Sequence, residues 1–349
     1  MRLKSIYITV LALACITGSF AQKANQNKSG MYQNPVFTPD FADPTVIKAG
    51  DGWYYAYGTE NTWTDGVHHI VPIIKSKNLI DWQYVNDAFK AHPKWKSEGG
   101  IWAPDISFLN GKYLMYYSFS TWGDPNPGIG LAVANKPEGP FVDQGKVFDS
   151  KSIGVANSID PYFIQVKTKK KITNYIFWGS FHGIFGVELN DDLKSVKGEK
   201  FQIANNAFEA VYIKERKGKF YFFGSLGSCC DGANSQYRVA VAMADDIKGP
   251  YKDKNGISIL TPGAEGSLLI AGNKAEGWVG PGHNSKIITD NKGNDYMFYH
   301  AIDLKNPHLP GGATRRPMLL DRIDWVKNWP EIQGQKPGLE PQRKPKIKK

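Results

Sequence analysis

Asn205-Asn206-Ala207-Phe208-Glu209-Ala210-Val211-Tyr212-Ile213-Lys214-Glu215-Arg216-Lys217-Gly218-Lys219-Phe220-Tyr221-Phe222-Phe223-Gly224-Ser225 decides the architecture of this 349-residue chain. A single carboxylate, Glu209, stands among small and apolar residues. An alternating run follows, then a charged turn at Lys217-Gly218-Lys219, then four aromatic residues in a row. Strand, tight turn and strand make a β-hairpin with one acid at its mouth.

The same phrase is written four more times: a polar residue first, a turn next, an aromatic strand last. The copies run from Asp43-Pro44 to Trp53-Tyr54-Tyr55-Ala56-Tyr57, from Asp105 to Tyr113-Leu114-Met115-Tyr116-Tyr117, from Asp160-Pro161 to Tyr175-Ile176-Phe177-Trp178, and from His283-Asn284 to Tyr296-Met297-Phe298-Tyr299. A lone hairpin cannot bury its apolar face, so divergent copies of one antiparallel unit imply neighbours stacked radially. Five units predict an all-β fold, a five-bladed β-propeller. The outer halves echo each other too: Leu131-Ala132-Val133-Ala134 through Gly139-Pro140-Phe141 matches Val239-Ala240-Val241-Ala242 through Gly249-Pro250-Tyr251. The alternating stretch Met318 to Trp325 is expected to pair with the N-terminal blade and close the ring. If equivalent strands start beside the axis, Asp43, Asp160 and Glu209 point into one cavity.

The length suits one large β domain, with 36 glycines for its turns. Met1-Arg2-Leu3-Lys4, the apolar run Ile6 to Ile16 and Ser19-Phe20-Ala21 read as a signal peptide over 1–21, too short to span a bilayer. Export to the periplasm or the medium follows; lipid anchoring through Cys15 is the lesser reading, because Ala12-Leu13-Ala14 fits a lipid-attachment site poorly. A polar leader over 22–33, the propeller over 34–333 and a basic, disordered tail over 334–349 complete the expected organisation. Removing Arg2 and Lys4 takes the formal charge from +10 to +8, and the tail holds most of the remainder, leaving the body near +3. Charge gathered at one end of an exported chain argues against nucleic acid as partner. Cys229 and Cys230 are adjacent, so no disulfide framework staples the fold; two free thiols packed at a strand end are the favoured state, a vicinal disulfide the alternative.

Two carboxylates on opposite sides of a sugar can cleave a glycosidic bond, one protonating the leaving oxygen and the other activating water. Glu209, between Phe208 and Ala210, is the candidate acid, because apolar surroundings raise a carboxyl pKa. Asp43 is the candidate base, and Asp160 tunes the acid by repulsion. Each also has a bland reading, as strand-opening turn residue or satisfied core acid. Asp105, placed in the same register, is expected to bond backbone amides. His283 is open among core residue, catalytic partner and metal ligand, and His68-His69 is only a weak metal candidate. Trp102, Phe119 and Trp122 read first as core aromatics, with sugar stacking as the alternative.

Taken together, Phe41-Ala42-Asp43-Pro44, Trp102-Ala103-Pro104-Asp105, Asn157-Ser158-Ile159-Asp160-Pro161, Gly179-Ser180-Phe181, Glu209-Ala210, Ser228-Cys229-Cys230, Gly280-Pro281-Gly282-His283-Asn284-Ser285 and Tyr299-His300-Ala301 give a pattern in which the chain resembles glycoside hydrolase family 43, and within it the endo-1,5-α-L-arabinanases. The resemblance implies an inverting hydrolase acting on arabinan and arabino-oligosaccharides of plant cell walls; a monomer without stable membrane insertion is expected. It implies Asp43 as general base, Glu209 as general acid and Asp160 as the residue that tunes and positions it. Substrate contacts are implied at Asn157, Ser158, Ile159, Gly179, Ser180 and Phe181, with Trp102, Phe119 and Arg316 as further candidates. His283 is implied to stand beside a cation, Ca2+, held largely through water in the central channel. The chain departs from the pattern at His182, where Trp is common, at Ala210, where Gly is frequent, and in a longer loop from Asn61 to His69, which would wall off one end of a groove. An exo-acting α-L-arabinofuranosidase or β-xylosidase is therefore the nearest rival, and a non-catalytic sugar-binding propeller the third reading.

Overall fold

The computed structural model describes residues 30–169 and 171–348. The signal peptide, Cys15 and most of the leader lie outside these residues. Among the described residues no helix is long and apolar enough to cross a membrane.

Four four-stranded antiparallel sheets and one five-stranded sheet follow one another along the chain, the main path of each running outward in sequence order. Blade 1 is Thr45–Lys48, Tyr54–Tyr57, Pro72–Ser76 and Gln83–Asp87. Blade 2 is Gly100–Leu109, Lys112–Ser120, Gly128–Ala134 and Val142–Asp149. Blade 3 is Tyr162–Lys167, Ile172–Trp178, Ile184–Leu189 and Val196–Ala204. Blade 4 is Phe208–Arg216, Lys219–Leu226, Arg238–Ala244 and Ser267–Ala271. Blade 5 is Trp278–Gly282, Asp295–Asp303, Met318–Val326 and Trp329–Glu331, with the short Ile288–Thr289 strand added to its second strand. The five-bladed propeller expected from the repeats is the observed fold.

The second strand of each blade explains the aromatic runs. A blade is covered on both faces by its neighbours, so its middle strands lose the in–out alternation of a half-exposed sheet. Tyr54–Tyr57 is buried at every position, and Phe220–Phe223 likewise. The cores accordingly lie between blades: Tyr57, Ile73, Met115 and Tyr117 between the first two, Tyr116, Phe148, Phe163 and Trp178 between the next two. Tyr116 and Phe163 stack with centroids 5.3 Å apart. Fully burying each such side chain stabilises the fold by roughly 1.5–3 kcal/mol.

The stretch from Met318 does meet the N-terminal segment, but as the third strand of blade 5. Phe37 bridges Met318, the Met318 amide donates to the Phe37 carbonyl at 3.0 Å, and Asn34 Oδ1 accepts from the Leu320 amide at 2.8 Å. The first segment of the body thus lies along the last blade and closes the ring. The tail expected to be disordered is instead ordered over 334–348. Gln342–Arg343 pairs with Met31–Tyr32, Gly338 N donates to Asp321 at 3.0 Å, and Lys346 N to Asp290 at 2.9 Å. Its backbone satisfies carboxylates at the body's edge and Leu339 and Ile347 pack against the core, which composition alone does not reveal.

Candidate active site

One residue at or beside each innermost strand lies in the left-handed region: Asp43 (φ 52°) and Asp160 (59°) just before their strands, Ala103 (46°) and Ala210 (55°) within theirs, and His283 (45°) just after Trp278–Gly282. Such a conformation costs a non-glycine residue about 1–2 kcal/mol. The cost is offset by a bond from each backbone N–H to a neighbouring group. Ala103 N donates to Thr59 Oγ1 at 2.8 Å, Asp160 N to Ser118 Oγ at 2.8 Å, His283 N to Ser225 Oγ at 2.9 Å and Asp43 N to His300 Nδ1 at 3.1 Å. In all four the acceptor lies in, or just past, the second strand of the preceding blade. Ala210 N turns to the Asp160 carboxylate. This ring of bonds ties the blades at the axis and aims the side chains inward.

It also corrects the register of blade 2. Ala103, not Asp105, is the counterpart of Asp43 and Asp160, and each of these three precedes a proline. Asp105 lies two residues on, past a register shift between Trp102 and Asp105. Its carboxylate accepts from Phe163 N at 2.9 Å and pairs with Lys286 at 2.9 Å. Asp105 therefore fastens blade 2 to blade 3, the backbone-bonding role expected of it. Glu209, similarly, stands one residue before its blade's left-handed position.

Asp43, Asp160, Glu209 and His283 all line one cavity of about 960 Å³ at the mouth of the channel. All three carboxylates are buried, yet their surroundings push them apart. Burial alone would raise Asp43, but the Arg316 guanidinium, 3.0 Å away, and His283, 3.3 Å away, hold it well below the usual carboxylate range. Thr59 Oγ1 donates to its other oxygen at 2.6 Å. Burial and the charges of Glu209 and Asp43 raise Asp160 to about 7 against the pull of His283. Burial likewise raises Glu209, although Tyr237 and Ser180 donate to it, the latter at 2.7 Å. Burial would lower His283, but the facing carboxylates raise it to about 9. Burial lowers His300 to about 4, so its ring is neutral and Nδ1 is free to accept the Asp43 amide. The surroundings therefore favour the charged form of Asp43 and disfavour that of Glu209, the direction in which acid–base cleavage needs its two carboxyls separated.

Not every residue assigned to the substrate reaches the cavity. Trp102, Asn157, Ile159, Ser180, Phe181 and Arg316 line it. Ser158 does not: fully buried, it accepts from Trp178 Nε1 at 3.0 Å and donates to the Val155 carbonyl. Phe119 is buried between Trp95 and His92, and Gly179 makes a turn so tight that a Cβ would lie 2.2 Å from the Gly183 carbonyl. Arg316 spends one nitrogen on Asp43, fixing the carboxylate before any sugar arrives. Trp122, read first as core, is 79% exposed and packs on Trp102 at the cavity wall, a surface suited to a sugar face.

Sequence reasoning missed Thr59, Tyr237 and His300. Thr59 and His300 carried a signal, since a polar residue follows the aromatic run in every blade. Tyr237, in a loop, carried none; its ring lies 2.0 Å from where a Cβ on Gly282 would be, which explains the glycine before His283. Cys229 and Cys230 are joined to each other rather than free. Ser235 Oγ bonds the Ser228 carbonyl at 2.6 Å and Thr314 Oγ1 the Cys230 carbonyl at 2.9 Å, turning that loop so that both sulfurs meet at the cavity wall. The Asn61 to His69 loop is a small hairpin folded back on the body, its Trp63 ring 4.0 Å from His69; Asn61 at its base, with the adjacent Glu60, lines the cavity.

A calcium ion beside His283 suits the donors in one respect and is limited in another. The neighbouring carboxylates favour a cation, and the buried Asn284 Oδ1 lacks a hydrogen-bond partner. Yet among the described residues His283 belongs to no group of three convergent metal-ligating side chains, so an ion there would depend on water for most of its shell.

The family model described as glycosyl hydrolases family 43 matches residues 32–330. The extracellular endo-alpha-(1->5)-L-arabinanase 1 of Bacillus subtilis is 34% identical over 301 residues, covering 82% of this chain and 86% of that one. The extracellular exo-alpha-(1->5)-L-arabinofuranosidase of Cellvibrio japonicus is 31% identical over 325 residues, covering 84% and 86%. The structure of a Cellvibrio cellulosa alpha-L-arabinanase complexed with arabinohexaose superposes with a TM-score of 0.72 at 29% identity, covering 85% of this chain and 96% of that one.

Proposed function

The chain belongs to glycosyl hydrolases family 43, and from that premise we propose that it cleaves α-1,5-L-arabinofuranosidic bonds of arabinan with inversion, within the polymer. The observation that carries this reading is the pair of buried carboxylates in one cavity whose surroundings push them in opposite directions, Asp43 held down by Arg316 and Glu209 raised by burial. In this mechanism Asp43 takes a proton from water as the oxygen attacks the anomeric carbon. Glu209 gives its proton to the glycosidic oxygen as the opposite C–O bond breaks. Asp160 keeps that proton on Glu209 by repulsion, and Tyr237 and Ser180 orient the acid. Trp102, Trp122 and Phe181 offer faces for sugar rings, and Asn157 an amide at the wall. An ion held at His283 would supply positive charge to the channel. The exported relatives and the basic, then apolar, first residues support release from the cell after signal-peptide removal.

A second reading, release of terminal sugars, is favoured by Glu60 and Asn61, which narrow the cavity beside Trp102, and by the exo-acting relative. Incubation with linear 1,5-arabinan, branched arabinan and a xylo-oligosaccharide separates the readings. Mixed arabino-oligosaccharides early in the reaction are expected; monomer alone would establish the exo reading, and binding without turnover would leave a sugar-binding propeller.

A further inference from the structure

Outside the acidic cavity, Glu60, His68 and His92 converge from three segments: the end of blade 1's second strand, the small hairpin, and the connection into blade 2. One ligand atom from each lies within 4.8 Å of the others. His68 Nε2 is 2.8 Å from Glu60 Oε1, and His92 Nε2 is 2.8 Å from both Glu60 oxygens. The Glu60 side chain is 8% exposed, and its Oε2 also accepts from Ile101 N at 2.8 Å, which fixes the carboxylate. His68 Nδ1 lies 2.9 Å from Thr62 Oγ1, and the His92 ring faces Phe119 at 5.8 Å. Each ring thus presents its Nε2 to one point. The partners of Glu60 and His68 are of the kind that orient metal ligands from behind: an amide on the carboxylate, a hydroxyl on the far ring nitrogen.

We propose that these three side chains bind one divalent transition-metal ion of the zinc class. Two imidazoles and one carboxylate suit zinc, with nitrogen and oxygen donors at about 2.0–2.2 Å and one position left for water. Calcium, which prefers six to eight oxygens, does not suit this set. A tetrahedral centre spaces its donors roughly 3.3 Å apart at such bond lengths, so each ring retreats from Glu60 by about half an ångström to admit the ion. The site is separate from His283. Its consequence is mechanical: the ion ties the hairpin and the connection to the Glu60 wall of the cavity, beside Trp102, so the groove is bounded by a rigid rim.

Zinc titration into chelator-treated full-length protein, followed by calorimetry and by metal content after dialysis, tests the proposal. One ion per chain is expected, with a dissociation constant of about 10 μM or tighter, weaker than four-ligand structural sites. Binding should persist in excess calcium and raise the melting temperature. His68→Ala and His92→Ala should each lose at least about tenfold in affinity while their metal-free melting temperatures stay near that of the parent. Absence of saturable binding, or unchanged affinity in both variants, would overturn the proposal: the cluster would then be two imidazoles hydrogen-bonded to a carboxylate.

Discussion

Asp43 and Glu209 are both buried acids, and what separates them is who faces them. A guanidinium and an imidazolium favour the charged form of Asp43; burial beside Phe208 raises Glu209, although Tyr237 and Ser180 donate to it. Replacing either by its amide, Asp43→Asn or Glu209→Gln, is expected to lower kcat/KM on linear arabinan by about 10²–10⁴-fold, with the melting temperature little changed. Asp160 and Glu209 titrate as a pair, and the alkaline limb of the kcat/KM profile reports loss of the pair's last proton. Because burial raises both groups, with the charges of Glu209 and Asp43 adding to it at Asp160, which reaches about 7, and that of Asp43 at Glu209, that limb lies above the ordinary carboxylate range. Asp160→Asn removes the repulsion, so the limb should move to lower pH, measurable as a shifted pH–rate profile beside the fall in rate. An unmoved limb would mean that Asp160 positions the site without tuning it.

At the scale of the strand, the innermost strand does two jobs: it presents one side chain to the axis and bonds backward to the preceding blade. The arrangement leaves no room at Gly282, where a methyl would meet the Tyr237 ring. Gly282→Ala should therefore destabilise by about 1–3 kcal/mol and, by displacing the tyrosine that donates to Glu209, lower kcat more than it raises KM. Differential scanning and steady-state kinetics would read the two effects separately. The repeats made the strands legible, because five aromatic runs at like spacing report burial on both faces. They did not reveal that blade 2 shifts register, so Asp105 looked equivalent to Asp43 until Ala103 proved to hold the left-handed position. Asp43 and Ala103 each precede a proline, whereas Asp105 follows one, two residues on and past the register shift, where it bonds blade 3 instead of facing the cavity. Phe119, Ser158 and Gly179 misled for a related reason: they sit beside lining residues in sequence, and strand alternation or a tight turn sends them the other way.

Across the whole molecule, closure depends on segments whose composition reads as dispensable. The Asn34 side chain bonds the Leu320 and Gly338 carbonyls, and Asp321 takes donors from Gly338, Gln342 and Tyr299. Deleting residues 336–349 strips two donors from a buried carboxylate, worth about 1–3 kcal/mol for each group left unsatisfied, so the melting temperature should fall by several degrees while kcat holds. A tail rich in Lys and Pro reads as solvated, yet Pro337 and Pro345 are buried, Leu339 and Ile347 pack on the body, and Gln342 bonds Asp321 beside the backbone amides of Gly338 and Lys346. The five-fold repeat, the three acids and their shared cavity were therefore readable from spacing, whereas the joined cysteines, Tyr237 and the tail needed coordinates, since each rests on contacts between distant loops. The account's central claim is that Asp43 delivers water to one face of the sugar while Glu209 protonates the other. Proton NMR of the first product released from linear α-1,5-arabinan measures this most directly: the new reducing end should appear first in the β configuration and only later mutarotate, and an α product at the earliest times would contradict the claim.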